Sequence, residues 1–250
     1  MPKSWTDEAI VLRTYNVGET DRFCILLTKS RGRLPVRAAG VRRLTSRRAG
    51  GLLPLHRVSV TCEAHSFGTL ITAASCIDAH SGSWCDPQAF SAAERGVELL
   101  LKLTDDGSEL DEIFLLTCDF LSACHGPAAA HVADLFTLKL LMLLGTFPSV
   151  GHSSLTDRPL LETDTIVFSL RTGGFAALHE DPTGLRLSLP LARLLADVSD
   201  MSLLCPPACP TEVRTELSRF VQRLLGSQLG VSLAVPGVSL AMSSGVTPIW

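Results

Sequence analysis

Several features that define common protein classes are absent from this 250-residue sequence. The most apolar stretch, residues 135–144, contains Thr137 and Lys139 and is much shorter than the ~20 apolar residues that cross a bilayer. The N-terminus lacks the apolar core of a signal peptide. The sequence contains no P-loop, no GxSxG elbow, no HExxH pair and no dinucleotide-binding fingerprint. These absences predict a cytoplasmic protein with no membrane segment and no catalytic residues.

The eight cysteines form no CxxC pair, and the closest spacing is that of Cys205 and Cys209. Structural zinc sites usually supply their ligands as such close pairs. In a cytoplasmic chain the thiols are expected to be reduced and to act as small apolar side chains. We therefore predict no metal and no cofactor.

Acidic residues are missing from one long segment. Between Asp21 and Glu63 the sequence carries ten basic residues, of which only Lys29 is not arginine. Residues 1–80 hold 12 Lys and Arg against 6 Asp and Glu, whereas residues 81–250 hold 10 against 19, and the net charge is −3. Because an ordinary solvated surface mixes both signs, this concentrated positive charge predicts a polyanionic partner.

Aromatic side chains are also scarce in residues 1–80, where only Trp5, Tyr15, Phe23 and Phe67 occur. Proteins that hold single-stranded nucleic acids without sequence preference usually stack bases on aromatic rings. Phe23 lies within an apolar run and is expected in the core. Contacts of the basic segment should therefore be mostly to phosphates, each of which adds about 0.7–0.9 to the log–log dependence of affinity on salt.

Residues 5–80 show the period-two alternation of short strands, separated by turn sequences such as Gly18-Glu19-Thr20-Asp21 and Arg31-Gly32. Five strands in this length predict a small closed or half-closed barrel. The pattern changes near residue 84, where Asp86-Pro87 is typical of a helix start.

The remaining pattern predicts three regions. A barrel domain over 1–82 precedes a mainly helical domain over 83–230, which contains an irregular insertion at about 146–186. A tail over 231–250 has Gly, Pro and Ser and no charged residue. The fold class is therefore α+β.

Several short sequences in this pattern resemble the bacterial DNA repair protein RecO family. They are Glu8-Ala9-Ile10-Val11-Leu12-Arg13, Gly18-Glu19-Thr20-Asp21, Thr28-Lys29-Ser30-Arg31-Gly32, Gly40-Val41-Arg42-Arg43 with Ser46-Arg47, Leu53-Pro54-Leu55 and Gly68-Thr69-Leu70. The pieces occur in the family's order and at its spacing across residues 8–80. Further on, 140–145 and Gly173-Gly174 resemble the helix before the family's zinc-finger region and the double glycine within it.

The resemblance implies an OB-fold barrel followed by a helical domain with a zinc-finger-like insertion. It implies a recombination mediator in DNA repair that binds single- and double-stranded DNA and anneals complementary strands without enzymatic turnover. It also implies that the protein, together with RecR, helps RecA load onto DNA. The implied partners are RecR, single-stranded DNA-binding protein and, in some settings, RecF and RecA. The implied location is the bacterial cytoplasm, in association with the nucleoid.

The chain departs from the family at the zinc positions. Many members carry two CxxC pairs there, but this sequence has Ser153 and Thr156 at the first pair and Ala177 and Glu180 near the second. His152 and His179 cannot complete a zinc site alone. The resemblance thus predicts a degenerate insertion without zinc.

Arginine suits phosphate because its planar guanidinium makes bidentate contacts and never loses its charge. We predict that DNA phosphates are bound by Lys29, Arg31, Arg33, Arg37, Arg42, Arg43, Arg47, Arg48 and Arg57. One alternative is a protein-docking adaptor whose basic face binds an acidic partner tail rather than DNA. Another is a zinc-dependent enzyme that acts on nucleic acid.

Overall fold

The structure is a computed structural model that describes residues 4–43, 51–107, 110–161 and 163–229. The predicted tail over 231–250 lies outside these residues. By compactness the chain divides into two units, whose described residues meet between Ala129 and Ala130. The first unit therefore holds the barrel and the helices that follow it. The domain boundary near residue 82, where strands give way to helices, stays a prediction.

Five strands form a closed barrel in the order β1-β2-β3-β5-β4, which confirms the predicted barrel. Neighbouring strands are antiparallel except β3 and β5, which run parallel where Val36 pairs with Thr69 and so close the barrel. The first strand pairs with both β2 and β4, and a bulge between Val11 and Arg13 bends it. The strand bounds are β1 Ser4–Val17, β2 Asp21–Thr28, β3 Gly32–Ala38, β4 Arg57–His65 and β5 Gly68–Asp78.

The barrel core is built from the residues that alternate with the basic ones. Cys24 and Leu26 of β2 and Val36 and Ala38 of β3 are almost fully buried in one apolar cluster. Fully burying a Val or Leu side chain stabilises a fold by about 1.5–3 kcal/mol. Because successive side chains of a strand point to opposite faces, burial of this set directs Arg37 to the outside.

Three α-helices follow the barrel in the described part of the first unit: α1 Ser81–Cys85, α2 Pro87–Leu103 and α3 Asp111–Ala123. The predicted helix start is confirmed, because the Asp86 carboxylate accepts a hydrogen bond of 2.9 Å from the amide of Gln88. The sequence pattern did not predict the short helix α1. It is joined to the residue that follows α3, because Ser83 Oγ donates to the carbonyl of Cys124 at 2.8 Å.

A fourth helix, α4 Ala129–Leu143, follows a short 3-10 turn and ends before Gly145, whose φ of 67° requires the left-handed conformation that glycine adopts readily. The stretch Gly126–Leu143 is long and apolar enough to cross a membrane by length and composition alone. However, 61% of it is buried inside the protein, as in a core helix, so this is weak support for a membrane span.

The second unit continues with a small antiparallel sheet in the order β7-β6-β8 and two helices. Three phenylalanines form its core: the ring centroid of Phe168 lies 5.7 Å from that of Phe175 and 5.3 Å from that of Phe220. The sheet lies within the predicted irregular insertion, whose zinc-finger-like character is not confirmed. The bounds are β6 Ile166–Ser169, β7 Gly174–Ala177, β8 Leu185–Arg186, α5 Leu189–Asp197 and α6 Thr211–Leu229.

Candidate nucleic-acid interface

The predicted phosphate ligands that the structure describes do not form one cluster on the barrel. Lys29 and Arg31 lie in the turn between β2 and β3, whereas Arg42 and Arg43 follow the end of β3. All four are exposed. The six residue steps of β3 at about 3.3 Å each separate the two pairs by about 20 Å along the barrel.

The turn between β2 and β3 is held by the first strand. Both the amide and the Oγ of Ser30 donate to Asp7 Oδ2, at 3.1 and 2.6 Å, and the amide of Lys29 donates to the carbonyl of Glu8 at 2.9 Å. The guanidinium of Arg31 lies 4.5 Å from the ring centroid of Trp5, in a cation–π contact. The fixed turn therefore presents Lys29 and Arg31 to solvent in a defined position.

At the opposite end of β3, one carboxylate fixes the start of the β3–β4 connection. Asp21 accepts hydrogen bonds from the amide of Gly40 at 2.8 Å and from the Arg37 guanidinium at 2.5 and 3.0 Å. The Gly40 amide contributes most to lowering the pKa of Asp21 to about 2, followed by Arg37 and then Thr20. Arg42 Nη1 donates to the carbonyl of Gly18 at 3.0 Å, so the β1–β2 turn and the connection are joined.

Like Arg37, two more of the predicted ligands form ion pairs within the protein. Arg33, whose side chain is only 15% exposed, donates to Asp106 at 2.5 Å and to the carbonyl of Leu101 at 2.7 Å. Arg57 donates to Glu8 at 2.6 Å, and this hydrogen bond is the main cause of its raised pKa. The segment that lacks acidic residues in the sequence is thus supplied with carboxylates from outside it. The positions of Arg47 and Arg48 lie outside the described residues.

Two aromatic residues lie in line with Arg37 across the sheet, and the sequence pattern did not predict this arrangement. Phe23 is half-buried, and its neighbours across the sheet are Tyr15 on β1 and Arg37 on β3. Since Cys24 and Leu26 face the core, the expectation that Phe23 is a core residue is wrong. The register of β1, β2 and β3 places Tyr15, Phe23 and Arg37 in one row across the sheet.

A second aromatic group caps the β4–β5 hairpin. Phe67 is 74% exposed, and its ring is stacked on that of His65 with centroids 5.1 Å apart. In OB-fold barrels the β4–β5 loop is one of the loops that bind oligonucleotides, together with the face of strands 2 and 3. An exposed, stacked ring at this place can receive an unpaired base.

Known proteins place this chain in a family. The family model described as Recombination protein O, N-terminal, matches residues 1–79 of this chain. The family model described as Recombination protein O, C-terminal, matches residues 85–235. The chain belongs to the RecO family. The family's N-terminal domain is an OB-fold, which agrees with the closed barrel of β1–β5.

Relatives in several bacteria carry the name DNA repair protein RecO. The protein of Bifidobacterium adolescentis is 31% identical over 174 residues, 68% of this chain and 71% of the relative. That of Heliobacterium modesticaldum is 37% identical over 147 residues, which cover 58% of this chain but only 52% of the relative. That of Myxococcus xanthus is 28% identical over 234 residues, 90% of this chain and 94% of the relative.

The zinc site that the RecO resemblance implies does not fit the residues of this chain. Zinc prefers thiolate and imidazole ligands, with carboxylate oxygen as a third choice. Ala177 has no ligand atom in its side chain, and the hydroxyls of Ser153 and Thr156 both donate to Glu180. Within the described part of the chain, no three His, Cys, Asp or Glu side chains come together in a metal-binding group.

Proposed function

We propose that this chain is a DNA-binding recombination mediator that acts in DNA repair and holds single- and double-stranded DNA mainly by its phosphates. The observation that carries the proposal is the exposure of Lys29, Arg31, Arg42 and Arg43 at the two ends of one strand of the RecO-type barrel. Phosphate contacts fix a protein on nucleic acid without reading its sequence. Binding should therefore be non-specific and strongly salt-dependent.

The roles of the nine predicted ligands differ within this proposal. Lys29, Arg31, Arg42 and Arg43 make the primary contacts, and Arg37 joins them while it stays paired with Asp21, since its side chain is 53% exposed. Arg47 and Arg48 extend the group of Arg42 along the sequence. Arg33 and Arg57 add to the electrostatic field of the barrel but do not contact phosphates directly. Both guanidinium groups already donate to carboxylates of the same unit.

Annealing is part of the proposed activity. Two like-charged phosphate backbones repel each other, and a protein that brings them together must place positive charge against both. The two cation pairs lie about 20 Å apart along β3, so one barrel can contact two strands at separate points. The bases between them stay free to pair, because the contacts are to phosphates.

We also propose the partners that the resemblance implies. RecR and single-stranded DNA-binding protein are the main ones, with RecF and RecA in some settings, in the bacterial cytoplasm near the nucleoid. The negatively charged part of the sequence, residues 81–250, is the proposed protein-docking surface. The proposal includes no enzymatic turnover and no cofactor.

An alternative function uses the same cations. In it, the barrel is an adaptor whose basic face binds the acidic tail of a partner such as single-stranded DNA-binding protein, and DNA is not a ligand. Competition separates the two: displacement of a DNA oligonucleotide by the tail indicates one shared site, simultaneous binding indicates two, and failure to bind DNA at all supports the adaptor alone.

The test is a triple variant, Arg42→Ala with Arg43→Ala and Arg47→Ala, compared with a control that removes equal charge from the second unit. The control is Arg186→Ala with Arg193→Ala and Arg223→Ala, three exposed arginines. If each of these three arginines, Arg42, Arg43 and Arg47, neutralises one phosphate, the slope of log affinity against log salt should fall by about 2–3. The control should keep the wild-type slope. Equal slopes in all three proteins would refute the assignment.

A further inference from the structure

Two turns in the second unit place four side-chain positions opposite each other. The first turn runs from Ser153 to Thr156 and the second from Ala177 to Glu180, so each has two residues between its ends. In the first, the amide of Asp157 donates to the carbonyl of Ser153 at 2.8 Å, and the amide of Leu155 donates to Ser153 Oγ at 3.3 Å. In the second, the amide of Glu180 donates to the carbonyl of Ala177 at 2.9 Å.

The carboxylate of Glu180 joins these two turns. Oε2 accepts hydrogen bonds from Ser153 Oγ at 2.6 Å and from the amide of Ala177 at 3.1 Å, and Oε1 accepts one from Thr156 Oγ1 at 2.6 Å. Ser153 is only 2% exposed. Short hydrogen bonds to an ionised acceptor are about twice as strong as neutral ones. The hydrogen bonds, with that from Ser153 first, lower the pKa of Glu180 to about 2, so the group is ionised at neutral pH.

A separate contact shows how tightly the first turn lies against β7. The amide of Ser154 donates to the carbonyl of Phe175 at 2.7 Å. A Cβ atom added to Gly174 would lie 2.5 Å from the Cβ of Ser154, which leaves room there only for glycine. The two turns are thus held together by backbone packing on one side and by the Glu180 carboxylate on the other.

The spacing of these four positions is that of a zinc site with two pairs of ligands, each pair separated by two residues. In such a site the metal is the central atom to which all four side chains bind. Here Glu180, one of the four, contacts the other three positions through its own oxygens. We propose that the Glu180 carboxylate replaces the metal as the junction between the two turns, so that this part of the fold needs no zinc, while the backbone keeps the geometry of a four-ligand site.

The first test removes the junction. Glu180→Gln keeps the size of the side chain but removes its charge. Hydrogen exchange of the amides of Leu155 and Ala177 should be about ten-fold faster or more, because both amides bond to groups of the junction. The matched control, Glu212→Gln, changes an exposed carboxylate in the first turn of α6 and should leave both rates unchanged.

In the wild-type protein, a strong zinc chelator should not change the exchange of these amides. Faster exchange after chelation, or one zinc per chain in the purified protein, would show that a metal holds the turns and would overturn the proposal. So would equal exchange rates in the wild type and in Glu180→Gln.

The second test converts the junction into a metal site. The variant Ser153→Cys, Thr156→Cys, Ala177→Cys and Glu180→Cys should bind one Co²⁺ per chain, with the absorption bands of tetrahedral thiolate coordination, and should exchange it for Zn²⁺. A three-cysteine variant that keeps Ala177 should bind Co²⁺ at least ten-fold more weakly. The wild type should not bind Co²⁺ at the same concentration.

A folded four-cysteine variant that binds no Co²⁺ would show that the four positions lack a metal-site geometry, and would overturn that half of the proposal. Circular dichroism and the exchange rates of α6 establish whether the variant is folded. If it is not folded, the Glu180→Gln comparison decides the proposal alone.

Discussion

Arg37 and Asp21 form an ion pair across the edge of two neighbouring strands, with Arg37 Nη2 2.5 Å from Asp21 Oδ2. Asp21 is the first residue of β2 and Arg37 the last but one of β3. The same carboxylate binds the amide of Gly40, where the chain leaves the barrel. Asp21 therefore orients the exposed side chain of Arg37 and fixes the beginning of the connection that carries Arg42 and Arg43.

We expect Asp21→Asn to lower the free energy of unfolding by about 1–2 kcal/mol at pH 7, because it weakens charge-assisted hydrogen bonds at a mostly buried group. The pKa of Asp21 is lowered from 3.8 to about 2, so its stabilising contribution is complete above pH 3.8 and is lost as the pH falls through 2. The difference in the free energy of unfolding between the wild type and Asp21→Asn should therefore disappear near pH 2. Urea unfolding followed by circular dichroism between pH 2 and pH 7 measures this.

The control for this experiment is Glu19→Gln, which removes one negative charge two residues away at an exposed position. Like Asp21→Asn, it should raise DNA affinity, because both changes make the barrel more positive. Its unfolding free energy should stay within about 0.5 kcal/mol of wild type. An equal loss of stability in both variants would contradict a specific role for Asp21.

Arg33→Ala should act on stability rather than on DNA binding. Its guanidinium is nearly buried and joins β3 to the end of α2 through Leu101 and to Asp106 beyond it. Loss of these hydrogen bonds should lower the free energy of unfolding by about 1–3 kcal/mol. The salt dependence of DNA affinity should be that of wild type. A slope reduced by about 1 in a fully stable variant would instead indicate a direct phosphate contact.

Phe67→Ala should weaken the binding of single strands and spare that of duplexes, since only unpaired bases can stack on the exposed ring. Stacking on one aromatic side chain contributes about 1–3 kcal/mol, so single-strand affinity should fall roughly 5- to 150-fold. Fluorescence anisotropy with matched single- and double-stranded oligonucleotides measures both affinities. Leu161→Ala, which removes another large side chain at a 60% exposed position, is the control and should change neither. An unchanged single-strand affinity in Phe67→Ala would exclude the stacking role.

The strands of the barrel and the start of α2 could be predicted because their signals are local, whereas β7 and β8 lie in the segment that was predicted to be irregular. Period-two alternation predicted the strands, whose buried face includes Val36 and Ala38, and Asp86-Pro87 predicted the start of α2. The barrel closure between Val36 and Thr69 could be expected only from the fold class, since strand order is not encoded in any one strand.

The electrostatic environment of the basic segment could not be predicted in this way. Its missing acidic residues suggested unpaired arginines, but Arg33 meets Asp106, 73 positions further along the sequence. Arg57 likewise meets Glu8 across the β1–β4 pairing. Counting charges along a sequence gives the net charge of a segment. It does not give the ion-pair partner of each cation, because that partner depends on strand register and helix packing.

The junction at Glu180 has a consequence for oxidative chemistry. A cysteine thiolate is converted by oxidants to sulfenic acid and then irreversibly to sulfinic and sulfonic acids, and a metal held by such thiolates is released. The groups that join the two turns here are two hydroxyls, a backbone amide and a carboxylate, none of which follows that path. The junction can therefore withstand peroxide concentrations that would open a cysteine-ligated site, and peroxide is also an agent that breaks DNA.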